Sequence, residues 1–280
     1  MLDVRGLQKV YSSAGRSTEA LRDLTFSIDE GELVCLVGPS GCGKTTLLKC
    51  IAGLMEPTHG DVTIAGKAVT GPPDSMALVF QEYGRSLFPW MTVRDNVELP
   101  LRRRKMSRNE RDRRVDEALN AVDLSDVGAA HPWQLSGGMQ QRVAIARAVA
   151  YQPQVLLMDE PFAAVDAQTR ADLEDLIRRI WRDSGVTTLF ITHDIDEAVY
   201  LGTRVVVLSS SPTVVQEDLP IDLPYERDQL TTRSSSRFGE LRAHVYAQIQ
   251  RSKLGGQAAT TEERRSQVAA GTSSQESHQL

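Results

Sequence analysis

This 280-residue sequence has few cysteines, no long apolar stretch and no excess of positive charge. Each of these shortages excludes a class of protein. The three cysteines cannot all pair, and their spacing matches no zinc pattern, so neither a disulfide scaffold nor a structural zinc site is expected. The densest apolar stretches, such as 33–37 and 155–158, are much shorter than the roughly 20 residues that span a membrane. The chain does not open with a basic segment followed by an apolar one, so no secretory signal is expected.

The charge balance argues against a nucleic-acid partner. The sequence has 32 basic and 37 acidic side chains, a formal net charge of −5, whereas nucleic-acid-binding domains are usually strongly basic. Hydrophobic residues make up 41% of the chain, which is an ordinary globular composition. The length suits one large domain or two modest ones.

Short apolar segments alternate with amphipathic ones, which predicts a parallel α/β core. Residues 1–30 are expected to form two edge strands joined by a loop at 12–19, and residues 61–69 a hairpin. A strand is expected at 32–37 and a helix at 44–52. Another helix, with one apolar face, is predicted from the spacing of Leu173, Leu176, Ile177, Ile180 and Trp181. Residues 251–280 have few large apolar side chains and are expected to form a disordered polar tail.

Residues 38–45 read Gly-Pro-Ser-Gly-Cys-Gly-Lys-Thr and match the phosphate-binding pattern G-x-x-x-x-G-K-[ST]. Glycines let backbone N–H groups face phosphate oxygens, the lysine reaches the β- and γ-phosphates, and the threonine hydroxyl can bind Mg²⁺. An ordinary glycine-rich turn is the alternative, but the flanking strand and helix favour the phosphate site. Cys42 is also expected to react with maleimide, because a helix N-terminus tends to lower a thiol pKa. We therefore expect nucleotide contacts from Gly38, Ser40, Gly41, Cys42, Gly43, Lys44, Thr45 and Thr46.

A predicted strand that ends in two carboxylates forms the second candidate site, at residues 155–160. The carboxyl ends of the strands form the ligand-binding edge of an open α/β sheet. Asp159 is expected to bind Mg²⁺ directly or through water, and Glu160 to orient the attacking water or accept its proton. Taken alone, the two acids could equally well cap the following loop. Together with the phosphate-binding loop, the functional interpretation is the better one.

Residues 135–142 read Leu-Ser-Gly-Gly-Met-Gln-Gln-Arg and open a predicted helix that runs to about Ala150. Ser136 suits the N-cap, and Gly137 and Gly138 leave room for a phosphate to approach the helix N-terminus. By itself, this segment would be interpreted as a plain capped helix.

The order of these three segments resembles that of ABC ATPases, and the resemblance covers roughly residues 1–250. It implies a P-loop, RecA-like α/β core with an antiparallel β subdomain and a helical insert at about 82–140. It also implies that Tyr11 stacks on adenine, that Gln81 contacts Mg²⁺ and the attacking water, and that His193 senses the γ-phosphate. The alternatives are a strand residue in the β layer for Tyr11, an exposed strand-end residue for Gln81 and a structural histidine for His193. The catalytic set would then be Lys44, Gln81, Glu160 and His193, and Mg²⁺ would be held by Thr45, Gln81 and Asp159.

Met139 stands where the family usually has glutamine after Ser-Gly-Gly, and this variant is similar to importers of nitrate, sulfonate and taurine. The resemblance implies a homodimer that hydrolyses ATP with Mg²⁺ at the cytoplasmic face of the membrane. Its partners would be integral membrane permease subunits and a solute-binding protein. An exporter subunit is the alternative. An ABC ATPase acting on DNA or ribosomes is less favoured, because the sequence has one cassette and no sustained heptads between Thr45 and Ser136.

Overall fold

The computed structural model describes residues 1–13, 16–81, 86–163 and 165–253. Ten strands form two sheets in this part of the chain. They are β1 (Leu2–Ser13), β2 (Arg16–Ile28), β3 (Leu33–Val37), β4 (His59–Ile64), β5 (Lys67–Ala68), β6 (Met76–Val79), β7 (Val155–Asp159), β8 (Thr187–Ile191), β9 (Arg204–Leu208) and β10 (Val215–Pro220).

Helices of the described residues lie between these strands and after β10. They are α1 (Lys44–Ile51), α2 (Val93–Glu98), α3 (Arg108–Ala121), α4 (Gly137–Ala150), α5 (Ala167–Ser184), α6 (Ile195–Leu201) and α7 (residues 236–253), with 3₁₀ turns at Leu99–Arg103, Ser125–Val127 and Pro132–Gln134. No helix within the described ranges is long and apolar enough to cross a membrane.

The larger sheet has the strand order β10-β9-β3-β8-β7-β6 and confirms the predicted α/β core. Strands β3, β6, β7, β8 and β9 run parallel, and β10 pairs antiparallel with β9. Every residue of β3, β7 and β8 is buried. Near-continuous apolar segments of this kind are expected where helices cover both faces of a parallel sheet.

Two apolar clusters lie on opposite faces of the larger sheet. Along β3, Leu33, Cys35 and Val37 belong to the cluster that includes α2 to α7, whereas Val34 and Leu36 belong to the cluster that includes α1 and the smaller sheet. This division follows from the alternation of side chains along a strand. The carboxyl edge of the sheet therefore sits between two packed layers.

The smaller sheet is antiparallel, with the order β2-β1-β4-β5, and the structure corrects two expectations for it. β1 is an interior strand, because it pairs with both β2 and β4. The predicted loop at 12–19 is largely paired strand, since Tyr11 lies opposite Thr18 and Ser12 opposite Ser17. Polar residues continue the hairpin because backbone pairing, which does not depend on apolar side chains, supports the ladder there. Residues 14 and 15 lie outside the described residues.

Helices α2, α3 and α4 occupy the chain between β6 and β7, the part of the sequence to which the predicted insert at 82–140 belongs. Residues 82–85 at its predicted start lie outside the described residues. At the other end of the chain, α7 includes residues 251–253 of the predicted tail. Ser252 is buried, and its Oγ accepts a hydrogen bond of 2.8 Å from the backbone N–H of Ser210. The rest of the predicted tail, 254–280, lies outside the described residues.

Candidate active site

The loop between β3 and α1 follows a backbone path that requires glycine. A Cβ added to Gly38 would lie 3.0 Å from both Cys42 Sγ and Leu208 Cβ, which is closer than ordinary packing allows. Gly43, the N-cap residue of α1, has a φ of +102°, a conformation that residues with a Cβ rarely adopt. Close packing at Gly38 and the positive φ at Gly43 therefore explain why the phosphate-binding pattern has glycine at these two positions.

Lys44 begins α1, and its side chain folds back over this loop. The Nζ atom donates hydrogen bonds to the carbonyl oxygens of Gly38 at 3.0 Å and Pro39 at 3.2 Å. It also lies 3.8 Å from Glu160 Oε1. The ammonium group is therefore buried between the loop and the end of β7, where it can meet a second anion.

Cys42 differs from the sequence expectation. Its side chain is 2% exposed, and burial raises the pKa of the thiol even though the Lys44 charge opposes that shift. The predicted low pKa is wrong because desolvation outweighs the favourable charge. The backbone of Cys42 remains part of the loop, and its carbonyl accepts a short hydrogen bond from the buried hydroxyl of Thr213. Thr213 comes from the turn before β10, and no local sequence pattern points to it.

Asp159 and Glu160 lie at the carboxyl end of β7, as predicted. The Asp159 side chain is buried, and burial together with the Glu160 charge raises its pKa, whereas Lys44 and Lys49 act in the opposite direction. Glu160 has a φ of +43°. Its backbone N–H donates to the Ile191 carbonyl at the end of β8, at 2.8 Å. The change of backbone direction after β7 therefore points the Asp159 and Glu160 carboxylates in different directions.

His193 follows β8, and its Nδ1 lies 2.9 Å from Glu160 Oε2. The two strands are neighbours in the sheet, so their carboxyl ends bring the two side chains together. A cavity of about 460 Å³ opens at this edge, and it is lined by Ser40, Gly41, Gly43, Lys44, Thr45, Thr46, Glu160 and His193. The structure thus joins the loop with a carboxylate and a histidine that lie more than 100 residues further along the chain.

Tyr11 reaches the same end of α1 from the smaller sheet. Its hydroxyl shares a hydrogen bond of 3.1 Å with Thr46 Oγ1 and donates one of 3.2 Å to Met55 Sδ. The side chain is 40% exposed, and Lys9 Nζ lies 5.6 Å from the centroid of its ring. The contact with Thr46 places Tyr11 next to the phosphate-binding loop.

Ser136 caps α4, as predicted, and its Oγ accepts a hydrogen bond of 3.3 Å from the Met139 N–H. Ser136, Gly137 and Gly138 are not among the described residues that line the cavity. Ser136 and Gly137 are exposed instead. Gln81 is also exposed and follows β6 closely, whereas its neighbour Glu82 lies outside the described residues.

The sequence profile of the ABC transporter family matches residues 21–163. The chain belongs to this family. The nitrate import ATP-binding protein NrtD of Synechocystis is 46% identical over 83% of this chain and 87% of its own length. The aliphatic sulfonates import ATP-binding protein SsuB of Bacillus subtilis is 42% identical over 88% of this chain and 93% of its own. The dimeric cassette MJ0796, in a post-hydrolysis state bound to ADP and Pi, superposes with a TM-score of 0.69 at 34% identity, over 80% of this chain and all of its own.

The predicted family and fold are confirmed. This chain is an ABC ATP-binding subunit of the importer branch, with a P-loop fold, and its ATPase activity is coupled to transport. It binds ATP and works with membrane permease subunits. The relatives do not favour the exporter, or an ABC ATPase that acts on DNA or ribosomes.

Proposed function

We propose that the cavity between α1 and the ends of β7 and β8 holds the triphosphate of ATP, and that Glu160 orients the attacking water. The observation that carries the proposal is the Glu160 carboxylate, which lies 2.9 Å from His193 Nδ1 and 3.8 Å from Lys44 Nζ in the cavity wall. A carboxylate in this position can accept a proton from water. Lys44 and the N–H groups of the loop would offset the charge of the phosphoryl oxygens.

The residues proposed to hold Mg²⁺ have suitable donor atoms. Mg²⁺ prefers oxygen ligands, and Thr45, Gln81 and Asp159 offer a hydroxyl, an amide oxygen and a carboxylate. Burial raises the pKa of Asp159 and so disfavours its ionised form, whereas a cation bound nearby would favour that form. When bound, Mg²⁺ would neutralise charge on the phosphates.

The remaining predicted residues are assigned to the nucleotide as follows. The exposed ring of Tyr11 is proposed to stack on adenine. Ser136, Gly137 and Gly138, together with the N-terminus of α4, are proposed to contact the γ-phosphate of a nucleotide bound by a second copy of the chain. The dimeric cassette described above supports this arrangement.

We further propose that the system imports a small solute that carries an oxyanion group and includes a solute-binding protein, with this subunit at the cytoplasmic face of the membrane. Nitrate and aliphatic sulfonates are the solutes named for the two relatives. Taurine is a third candidate, because it carries the same sulfonate group.

Glu160→Gln tests the catalytic proposal. The variant keeps Lys44, Thr45 and Asp159, so ATP binding should persist while steady-state hydrolysis falls about 100-fold or more. Glu117→Gln, at an exposed position of α3, is the matched control and should hydrolyse ATP at the parental rate. Parental turnover in Glu160→Gln would remove this carboxylate from the mechanism.

The solute is tested with the whole transporter in proteoliposomes. ATP hydrolysis is measured with the permease and the binding protein present, while nitrate, taurine or an alkanesulfonate is added to the binding-protein side. We expect one of these solutes to stimulate hydrolysis and to be taken up, and we expect no uptake with Glu160→Gln. Outward movement of solute would contradict the importer.

A further inference from the structure

The segment that carries His193 is fixed by its two neighbours. The backbone N–H of Asp194 donates to Thr192 Oγ1 at 3.0 Å, and the Thr192 hydroxyl donates to Glu197 Oε2 at 2.5 Å. Asp194 also caps α6, because its Oδ1 accepts hydrogen bonds from the N–H groups of Asp196 and Glu197. His193 is therefore held by a small polar network behind the site.

Arg170, in the first turn of α5, joins this network to a different loop. Its Nη1 donates to Asp194 Oδ2 at 3.3 Å, and its Nε lies 3.5 Å from Glu197 Oε1. Its Nη2 donates to the carbonyl of Val165 at 3.4 Å. Val165 belongs to the segment that follows Glu160. One planar guanidinium thus contacts both the segment that follows Glu160 and the segment that follows His193.

The same turn of α5 also contacts the start of α4. Asp166 caps α5 by accepting hydrogen bonds from the N–H and the hydroxyl of Thr169. Gly138 packs so closely on Thr169 that an added Cβ would lie 2.4 Å from its Cγ2 atom. The residue next to Arg170 is therefore in contact with the Ser136 segment, which is proposed to meet a second copy's nucleotide.

We infer that Arg170 is a positioning residue, which fixes the His193 segment against the loop after Glu160 and transmits movement of the first turn of α5 to His193. The inference rests on the role proposed for Glu160 and on the γ-phosphate-sensing role that the resemblance implies for His193. Arg170 acts only through the segments that it binds, because its contacts are with Asp194, Glu197 and the Val165 carbonyl rather than with the cavity.

The burial of the partners indicates what removal of Arg170 does. Its side chain is 32% exposed, whereas that of Glu197 is only 6% exposed, so the buried carboxylate has the greater need for a partner. Without the guanidinium, Glu197 and Asp194 would face each other with no cation between them. The same change removes the link between Asp194 and the Val165 carbonyl, so the segment that carries His193 can shift relative to Glu160 whatever the charge of Glu197.

Arg170→Gln, assayed near pH 8, is the first test. A small displacement of His193 relative to Glu160 should lower kcat for ATP about tenfold, because catalysis is sensitive to sub-ångström placement. KM for ATP should stay within about twofold, since Arg170 does not line the cavity. Arg182→Gln is the matched control on the same helix, where the arginine makes exposed ion pairs, and it should keep both constants. Parental kcat in folded Arg170→Gln would overturn the inference.

A second variant separates positioning from folding. Arg170→Gln/Glu197→Gln removes both charges, so no buried carboxylate is left without a cation. We expect this double variant to regain the parental melting temperature while kcat stays low. If kcat returns together with stability, Arg170 has only a structural role and the inference fails.

A double-mutant cycle with His193→Ala identifies the residue through which Arg170 acts. Single-turnover hydrolysis is measured with protein in excess over ATP. If Arg170 acts by positioning His193, then Arg170→Gln should cost less than about twofold once His193 is absent. A full tenfold further loss would contradict the inference. Failure here while Glu160→Gln remains inactive would leave the proposed role of Glu160 intact, whereas parental activity of Glu160→Gln would remove that role itself.

Discussion

Among the described residues that line the cavity, Glu160 is the one non-glycine residue with a positive φ. Its φ of +43° lies in the left-handed region, which glycine adopts readily and other residues do not. The Ile191 carbonyl accepts its N–H at 2.8 Å, and the Ala163 N–H donates to its carbonyl at 3.2 Å. These two bonds hold the conformation against its intrinsic cost. The direction of the carboxylate is thus fixed by the pairing of β7 with β8.

Substitutions at Glu160 should reveal this strain. We expect Glu160→Gly to be about 1 kcal/mol more stable than Glu160→Ala, because only the alanine Cβ is unfavourable at positive φ. Both variants lose the carboxylate, so the comparison isolates the backbone, and urea midpoints at constant m-value measure it. At the exposed helical residue Glu117, the order should reverse, with glycine less stable than alanine. If Glu160→Ala proved as stable as Glu160→Gly, the backbone at this position would not be strained.

The second residue-scale prediction concerns the thiols. Cys35, Cys42 and Cys50 are all buried, and burial raises the pKa of each. Maleimide should therefore label the native protein slowly, at a rate that follows opening of the structure, and should label it rapidly in denaturant. Mass spectrometry of the labelled peptides checks this. Fast native labelling that disappears in Cys42→Ala and is blocked by ATP would show that the loop opens in solution.

At the scale of elements, the start of α6 contains an unusual acid. Burial raises the pKa of Glu197 to about 7, and the charges of Asp194 and Glu174 act in the same direction. The hydrogen bond from Thr192 and the charge of Arg170 oppose the shift. The folded protein therefore binds this proton more tightly than the unfolded chain does.

The consequence is a pH-dependent stability. The contribution of Glu197 is complete below its ordinary pKa of 4.5 and is lost as the pH rises through about 7. Glu197→Gln is neutral throughout, so it should gain stability relative to the parent between about pH 5 and pH 8, by at most about 3 kcal/mol. Denaturant titrations across that range measure the difference. Glu30→Gln, the same substitution at an exposed turn, controls for removal of a carboxylate. If the stability difference between Glu197→Gln and the parent did not change with pH, the prediction would be contradicted.

Local pattern predicted the elements well. The Ser136 cap, the hairpin at 61–69 and the apolar face of α5 all depend on residues within a few positions of each other, and all are present. Contacts between distant residues were not predictable in this way. Arg170 meets Glu197 and Thr213 meets Cys42 only after the sheet brings their elements together. The burial of Cys42 has the same origin, which is why the expected thiol pKa was wrong.

At the scale of the whole molecule, the two candidate phosphate contacts lie in different parts of the fold. The loop at 38–46 joins β3 to α1 in the core, whereas Ser136 begins α4, between β6 and β7. The described residues that line the cavity include none from the Ser136 segment. If both segments bind one nucleotide, we expect a second copy of the chain to supply one of them.

Mixing two inactive variants tests for such a shared site. Lys44→Ala and Ser136→Ala are prepared separately, and each should be nearly inactive. In a mixed dimer, the Ser136→Ala chain supplies an intact Lys44 and the Lys44→Ala chain an intact Ser136, so one of the two composite sites is whole. Mixing should then restore part of the ATPase activity, measured with the permease present and with subunit exchange confirmed. A site built within one chain would give no recovery, because every chain carries one lesion.

A second dimer decides the case in which mixing restores nothing. One parental chain is paired with a chain that carries both Lys44→Ala and Ser136→Ala. In a shared arrangement each composite site of this dimer has one lesion, so it should be inactive. In a single-chain arrangement the parental chain keeps a complete site and about half the activity. Activity in this dimer, with none in the first, would reject the shared site. No activity in either dimer would instead mean that hydrolysis requires both sites of the dimer to be intact at once, because the two sites are coupled.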